Sequence, residues 1–175
     1  MSVRDARSSD LPALVALERA CYPPEAACEP REVRQWLRLK AVNLVWEDGR
    51  GILGYVGATF HRGWRRGEVF AVSVHPDARG LGVARALLAE AEGRLLSLGM
   101  RRVVLQVNAS NVAAIRLYER AGYVLVKRLV DYYRFYEDRD ALLYARDLGN
   151  RSQSPSTSGV TPSQSGSQTG TSKRA

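Results

Sequence analysis

Arginines and glycines are spaced through Val72 to Leu88, VSVHPDARGLGVARALL, in a way that suits one chemistry in particular, the holding of a diphosphate. A bound diphosphate wants several backbone N–H groups converging on it. The first turn of a helix presents such groups unpaired, at the positive end of the helix dipole. Here a buried-strand pattern breaks at His75-Pro76 and re-enters as a helix through Arg79, Gly80, Leu81, Gly82, Val83 and Ala84. The two glycines and the small Ala84 let the backbone come close, and Arg79 and Arg85 add positive charge. Strand-to-helix turns rich in glycine also occur where nothing is bound, so the segment alone leaves a ligand loop and a plain connection equally open.

Other reactive side chains are few. The cysteines are Cys21 and Cys28 and the histidines His61 and His75, with no spacing of a zinc site or a disulfide framework, so no metal is expected. Cys21 and Cys28 flank Pro23-Pro24 and read as small packing residues near a helix end rather than as a redox pair. His75 reads as a turn residue.

A chain of 175 residues with 45% hydrophobic content can bury one substantial core, which predicts a single domain over residues 1–149. No stretch approaches the ~20 apolar residues of a membrane span, so a soluble, cytoplasmic protein is expected. The net charge of +8 divides unevenly: three basic residues and no acidic ones lie beyond Asn150, which leaves +5 on residues 1–149. The stretch 150–175 is Ser, Thr, Gly, Gln and Pro with Val160 as its only branched aliphatic, too little apolar surface to offset chain entropy, and disorder is expected there. The basic excess admits a nucleic-acid partner. The arginines nevertheless look scattered over several elements, without an aromatic–basic recognition motif, and an anionic cofactor or acidic partner accounts for them as well.

These residues need a frame, and hydrophobic periodicity supplies one. Val3 to Arg7 reads as a strand. Leu11, Leu14, Leu17 and on to Cys21 form an amphipathic helix with Ser9 and Asp10 as capping residues, and Glu29 to Leu39 repeats the pattern. Asn43–Trp46 and Ile52–Phe60 read as a hairpin around Glu47–Arg50. Glu68–Val74 follows after a polar, Gly-containing bend from His61 to Gly67. Past the glycine turn, Ala84, Leu87, Leu88, Ala91, Leu95 and Leu98 share one helix face, with Arg85, Glu90, Glu92 and Arg94 directed away, and Gly99 ends the helix. Arg102–Val107 is a strand, Asn111 caps a helix ending at Gly122, and Tyr123–Val130 and Ala141–Ala145 are two more strands. This alternation predicts an α/β domain around one mixed, mostly antiparallel sheet flanked by helices.

Taken together, VSVHPDARGLGVARALL and LQVNASNVAAIRLYERAGY resemble the two central motifs of the GNAT superfamily of N-acetyltransferases. The ending DYYRFYEDRDALLYARDL is similar to the tyrosine-bearing strand pair of protein N-terminal acetyltransferases, including the ribosomal-protein alanine type. The likeness covers roughly residues 1–148. It implies splayed central strands and acetyl-CoA as acyl donor. It also implies a pyrophosphate loop at Arg79, Gly80, Leu81, Gly82, Val83, Ala84 and Arg85, with Val72 and Val74 beside the pantetheine arm and Asn111 as a cofactor contact. Tyr118 matches the family's general acid. Read from spacing alone, Ala114, Leu117, Tyr118 and Ala121 at i, i+3, i+4 and i+7 favour a core stripe. The loop holding Tyr22, Pro23 and Glu25, and the pair Tyr132-Tyr133, are implied as the substrate wall; adjacent strand residues point to opposite faces, so at most one of the two tyrosines is buried in the same core.

One position departs from the pattern. The ribosomal-protein subfamily has a glutamate base at the second position of L-x-V, where this chain has Gln106, and a neutral amide does not accept an ammonium proton. Glu68 shares strand parity with Phe70, Val72 and Val74 and is the leading substitute, with a solvated strand-end carboxylate as the alternative; Glu25 is a further candidate. Presenting an α-amino group of pKa ~8 in neutral form costs about 1 kcal/mol at pH 7, against roughly 4–5 kcal/mol for a lysine of pKa ~10.4. A site without its strong base therefore favours a protein or peptide N-terminus as acceptor. Small primary amines, or a catalytically silent acyl-CoA-binding module, are the other readings, and the chain is expected to be a monomer or homodimer.

Overall fold

The computed structural model describes residues 2–134 and 137–149, and the expected disorder of 150–175 lies outside the described residues. Seven strands form one sheet: β1 (Ser2–Asp5), β2 (Val42–Asp48), β3 (Gly51–His61), β4 (Arg66–Val74), β5 (Arg102–Asn108), β6 (Val124–Leu129) and β7 (Ala141–Asp147), in the order β1-β2-β3-β4-β5-β7-β6. Four helices pack on it: α1 (Leu11–Cys21), α2 (Pro30–Arg38), α3 (Val83–Ser97) and α4 (Val112–Arg120). Every neighbouring pair is antiparallel except β4 and β5. The expected α/β architecture and element order are those observed.

The sheet divides two cores. On one face Leu44, Val56, Val69, Val103, Leu105 and Val107 pack under Leu87, Leu88, Ala91 and Leu95 of α3. On the other, Val45, Tyr55 and Ala71 pack under Leu14, Leu17 and Val33 of α1 and α2, where Trp36 stacks on Tyr55 with ring centroids 5.6 Å apart. Gly54 lets α3 settle on β3, since a Cβ there would lie 2.7 Å from Val83 Cγ1 and 2.9 Å from Leu87 Cδ1. Leu87 is fully buried. Leu87→Ala removes its methyl groups and leaves a cavity in a sheet-to-helix seam with little room to collapse; a loss of about 3 kcal/mol in unfolding free energy is expected, read by urea denaturation.

The feature that matters most for the site is the junction of β4 and β5. Their parallel ladder pairs Arg66–Val69 with Arg102–Leu105 and stops there, although β4 runs on to Val74 and β5 to Asn108. The two central strands therefore splay, as expected. A β-bulge precedes the split: Ala58 pairs with Val69 while Gly57 pairs with Ala71, which leaves Phe70 as the extra residue.

Several local expectations are corrected. Asp10 does not cap α1 with its side chain; its carboxylate turns back to the Arg7 N–H at 2.7 Å and to Arg4 at 2.7 Å, an ion pair that holds it below its ordinary carboxylate pKa. Glu92 is buried rather than directed away, because Arg146 of β7 reaches it at 2.7 Å; burial raises its carboxyl pKa against the opposing pull of Tyr123 and Arg146. Leu98 lies at the rim instead of the core. Tyr132 and Tyr133 follow the end of β6, so strand alternation does not govern them: their rings meet edge to face at 5.0 Å, with Tyr133 buried and Tyr132 half-buried.

Candidate active site

The turn after β4 builds the first wall. Pro76–Ala78 makes one 3₁₀ turn, and Gly80 and Gly82 both adopt left-handed conformations, φ +76° and +78°, which glycine enters without the penalty a Cβ imposes. The first helical bond of α3 runs from Ala86 N–H to Gly82 O, so the N–H groups of Val83, Ala84 and Arg85 precede the ladder and have no intrahelical acceptor. A Cβ at Gly82 would meet open space. Leu81 turns its side chain to solvent, 61% exposed, and does not line the cavity.

That turn opens onto a cavity of about 990 Å³ lying where β4 and β5 part. Its lining brings together Tyr22, Val72, Val74, Arg79, Gly80, Gly82, Val83, Ala84, Arg85, Asn111 and Tyr118 from the sequence reading. The carbonyls of Val72 and Val74, no longer beside β5, are met by the Tyr22 hydroxyl at 3.4 Å, the Cys21 thiol at 3.2 Å and Arg79 Nε at 3.3 Å. Asn111 caps α4 as expected, its Oδ1 accepting the Ala114 N–H at 3.1 Å.

Tyr118 satisfies both readings of its spacing. It is 1% exposed and packs edge to face on Tyr123 at 5.9 Å, yet it also lines the cavity, and its hydroxyl has no hydrogen-bond partner among the described residues. Burial raises its pKa, so the hydroxyl stays protonated.

Sequence reasoning missed part of this wall. Arg116 and Arg120, one turn apart on α4, add two cations to Arg79 and Arg85 around the cavity. Asn108 and Ser110 fix the entry to α4: Asn108 Oδ1 accepts the Ser110 N–H at 2.9 Å and its hydroxyl as well, while Asn108 Nδ2 donates to Asp138 O at 2.6 Å. The polar run Asn108–Asn111 is the signal that would have marked that turn. Cys21 is a wall residue rather than mere packing. Its thiol is pushed up to about 11, first by burial and then by Glu18, and a thiol held protonated is a poor nucleophile.

The proposed bases lie elsewhere. Val69 packs on the α3 core, whereas Ala71 packs on the α1/α2 core, because the extra residue Phe70 inverts the alternation. Glu68 therefore does not share a face with Val72 and Val74, and the parity argument fails. It shares one with Gln106 instead: Glu68 pairs with Val104, and both Val104 and Gln106 alternate with Val103, Leu105 and Val107 of the α3 core. Strand spacing places the Glu68 and Gln106 backbones roughly 8 Å apart. Tyr132 joins them, its hydroxyl pKa raised by burial and further by the Glu68 charge. None of Glu68, Gln106, Tyr132 and Tyr133 lines the 990 Å³ cavity, and neither do Pro23 and Glu25, which are exposed in the α1–α2 connection. No cluster of His, Cys, Asp or Glu that suits a metal occurs among the described residues.

A model of the acetyltransferase (GNAT) family matches residues 11–123. The mycothiol acetyltransferase of Geodermatophilus obscurus is 38% identical over 98 residues, which are 53% of this chain and 32% of that protein. The chain thus spans about a third of the length of that relative. An acetyltransferase of Pectobacterium atrosepticum is 31% identical over 146 residues, 80% of this chain and 99% of that protein. Among solved structures, the ribosomal-protein-alanine N-acetyltransferase from Brucella melitensis has a TM-score of 0.73 at 26% identity, covering 85% of this chain and 100% of that one.

Proposed function

Since the chain belongs to the acetyltransferase (GNAT) family, we propose that it transfers the acetyl group of acetyl-CoA to a primary amine, and that the acceptor is the α-amino group of a protein or peptide. The observation that carries the reading is the joining of three features in one cavity: orphan N–H groups at the start of α3, four arginines around them, and the splay of β4 from β5. The N–H groups of Val83, Ala84 and Arg85 and the cations of Arg79, Arg85, Arg116 and Arg120 suit the phosphates. The edge of β4 at Val72 and Val74, parted from β5, suits an amide-bearing arm.

Acetyl-CoA supplies an activated thioester: a C–N bond forms at its carbonyl carbon, the C–S bond breaks, and one proton leaves the amine while one reaches the sulfur. That last proton we assign to Tyr118, which lines the cavity. A phenol whose pKa burial has raised gives up its proton reluctantly, so Tyr118 acts by donating a hydrogen bond that strengthens as charge builds on sulfur and completes transfer as the bond breaks. The acceptor is assigned to the face outside the cavity lining that Glu68, Gln106 and Tyr132 share, where Gln106 orients it by hydrogen bonding and Glu68 takes the amine proton through water.

The absence of a carboxylate at Gln106 favours an amine whose neutral form costs little to present, and the similarity to a ribosomal-protein-alanine acetyltransferase supports an N-terminal acceptor. A small-molecule amine is the second reading, favoured by the relative named for mycothiol. Gln106→Glu tests the assignment, because the two side chains are nearly isosteric and the change adds a base. It is expected to raise kcat/KM for lysine side-chain peptides more than for free N-terminal peptides, lysine having the larger deprotonation cost to recover. Equal gains, or a wild type that already acetylates lysines faster, would remove the α-amino preference.

A further inference from the structure

The β3–β4 hairpin, His61-Arg62-Gly63-Trp64-Arg65-Arg66, belongs to none of this machinery. Five residues of β4, Gly67 to Ala71, separate Arg66 from the cavity-lining Val72, a span of roughly 20 Å along the strand, so the hairpin stands at the opposite end of β4. Trp64 is 68% exposed although it is the largest side chain on the turn. It is held upright: the His61 imidazole stacks on it at 4.1 Å and 19°, the Trp64 backbone N–H donates to His61 Nδ1 at 3.3 Å, and the Arg66 guanidinium sits 5.2 Å from its ring centroid. Arg65 takes φ +49°, a conformation that costs a non-glycine residue about 1 kcal/mol and persists only where the surroundings impose it. The surroundings do so here. The Arg65 carbonyl accepts the N–H groups of both Arg101 and Arg102, at 2.7 and 3.3 Å, and its Nε donates to Gly99 O at 3.2 Å.

These bonds join two short basic runs, Arg62 to Arg66 and Arg101-Arg102. Arg66 and Arg102 are register partners at the start of the parallel ladder, Arg101 is tied to the same turn, and Arg62 precedes it. Among the described residues Arg62, Arg65, Arg66 and Arg101 have no carboxylate partner; only Arg102 is paired, with Asp147 at 3.4 Å. Leu148, just past β7, is tied to this same end, its N–H donating to Arg101 O at 2.7 Å. The contiguous aromatic–basic run His61–Arg66 is thus extended by the fold, which adds Arg101 to it.

We propose that this hairpin is a binding surface for single-stranded nucleic acid, with Trp64 and His61 stacking on bases and Arg62, Arg66 and Arg101 meeting phosphates. Unpaired cations around an upright ring match a polyanion that presents flat, unstacked bases. An anionic membrane offers charge but no such rings, and the turn carries only one apolar side chain to insert. The reading is independent of acetyl transfer.

Fluorescence anisotropy with short oligouridylate and oligothymidylate, on the full chain, tests it and separates RNA from DNA. Saturable binding is expected that weakens with salt. Trp64→Ala should reduce affinity about tenfold without changing the salt slope, whereas Arg62→Ser with Arg66→Ser should lower the slope of log K against log salt by about 0.7 for each lost phosphate contact. Acetyl-CoA affinity of the same variants, expected unchanged, shows that they fold. Three outcomes overturn the proposal: no saturable binding to either oligonucleotide, binding indifferent to Trp64→Ala, or Trp64-dependent binding to phosphatidylserine vesicles with none to the oligonucleotides.

Discussion

Tyr118→Phe is expected to lower kcat by about 10²-fold or more while the unfolding midpoint stays within error of wild type. Both halves of that expectation come from the two environments of one side chain. The ring is buried against Tyr123, and phenylalanine preserves that packing. The hydroxyl points no hydrogen bond at any described residue, so its removal leaves no partner stranded in the core. What the variant loses is a donor to the departing sulfur, an interaction made mainly in the transition state; KM should therefore change little. Because burial raises the Tyr118 pKa, its ionisation does not limit the reaction between neutral pH and 10, and the alkaline side of the wild-type profile should show no fall from this group. A full-activity Tyr118→Phe enzyme would return the residue to a purely structural part.

Gly82→Asp is expected to abolish acetyl-CoA binding by calorimetry. The left-handed backbone at Gly82 is strained for any side chain, but aspartate and asparagine tolerate it best, and a Cβ there meets no protein atom. The variant can therefore fold. Its carboxylate would stand in front of the unpaired N–H groups of α3, in a cavity whose arginines are arranged for an anion, and would take the place of phosphate. Gly82→Asn, with the same shape and strain and no charge, should bind more tightly than Gly82→Asp by at least an order of magnitude. If the two variants weaken binding equally, backbone strain rather than phosphate recognition explains the glycine; if Gly82→Asp binds normally, the diphosphate assignment is wrong.

The readable parts of this fold were those governed by periodicity and by turn chemistry. Apolar spacing of 3.6 and 2 placed the helices and strands, and Gly80, Gly82 and Asn111 mark their turns because few other residues serve there. The bulge at Phe70 was not readable. Glu-Val-Phe-Ala-Val-Ser-Val has the alternation of an uninterrupted strand, and the extra residue is set by β3, where Gly57 leaves room for the Phe70 ring; the consequence is that Glu68 faces Gln106 rather than Val72. The burial of Glu92 likewise depends on Arg146, 54 residues away. The aromatic–basic run His61–Arg66 stood in the sequence, but its joining to Arg101 and Arg102 did not. Arg62, Arg66, Arg101 and Arg102 meet only because β4 and β5 start side by side.

The measurement that bears most directly on the central claim is release of the CoA thiol from acetyl-CoA with three acceptor sets: peptides with a free α-amino group and blocked lysines, peptides with a free lysine and a blocked N-terminus, and small primary amines. The account predicts that thiol release is fastest, by kcat/KM, with the free N-terminal peptides. Faster release with the lysine peptides or the small amines would contradict the acceptor assignment, and acetyl-CoA binding without release for any of the three would contradict catalysis itself.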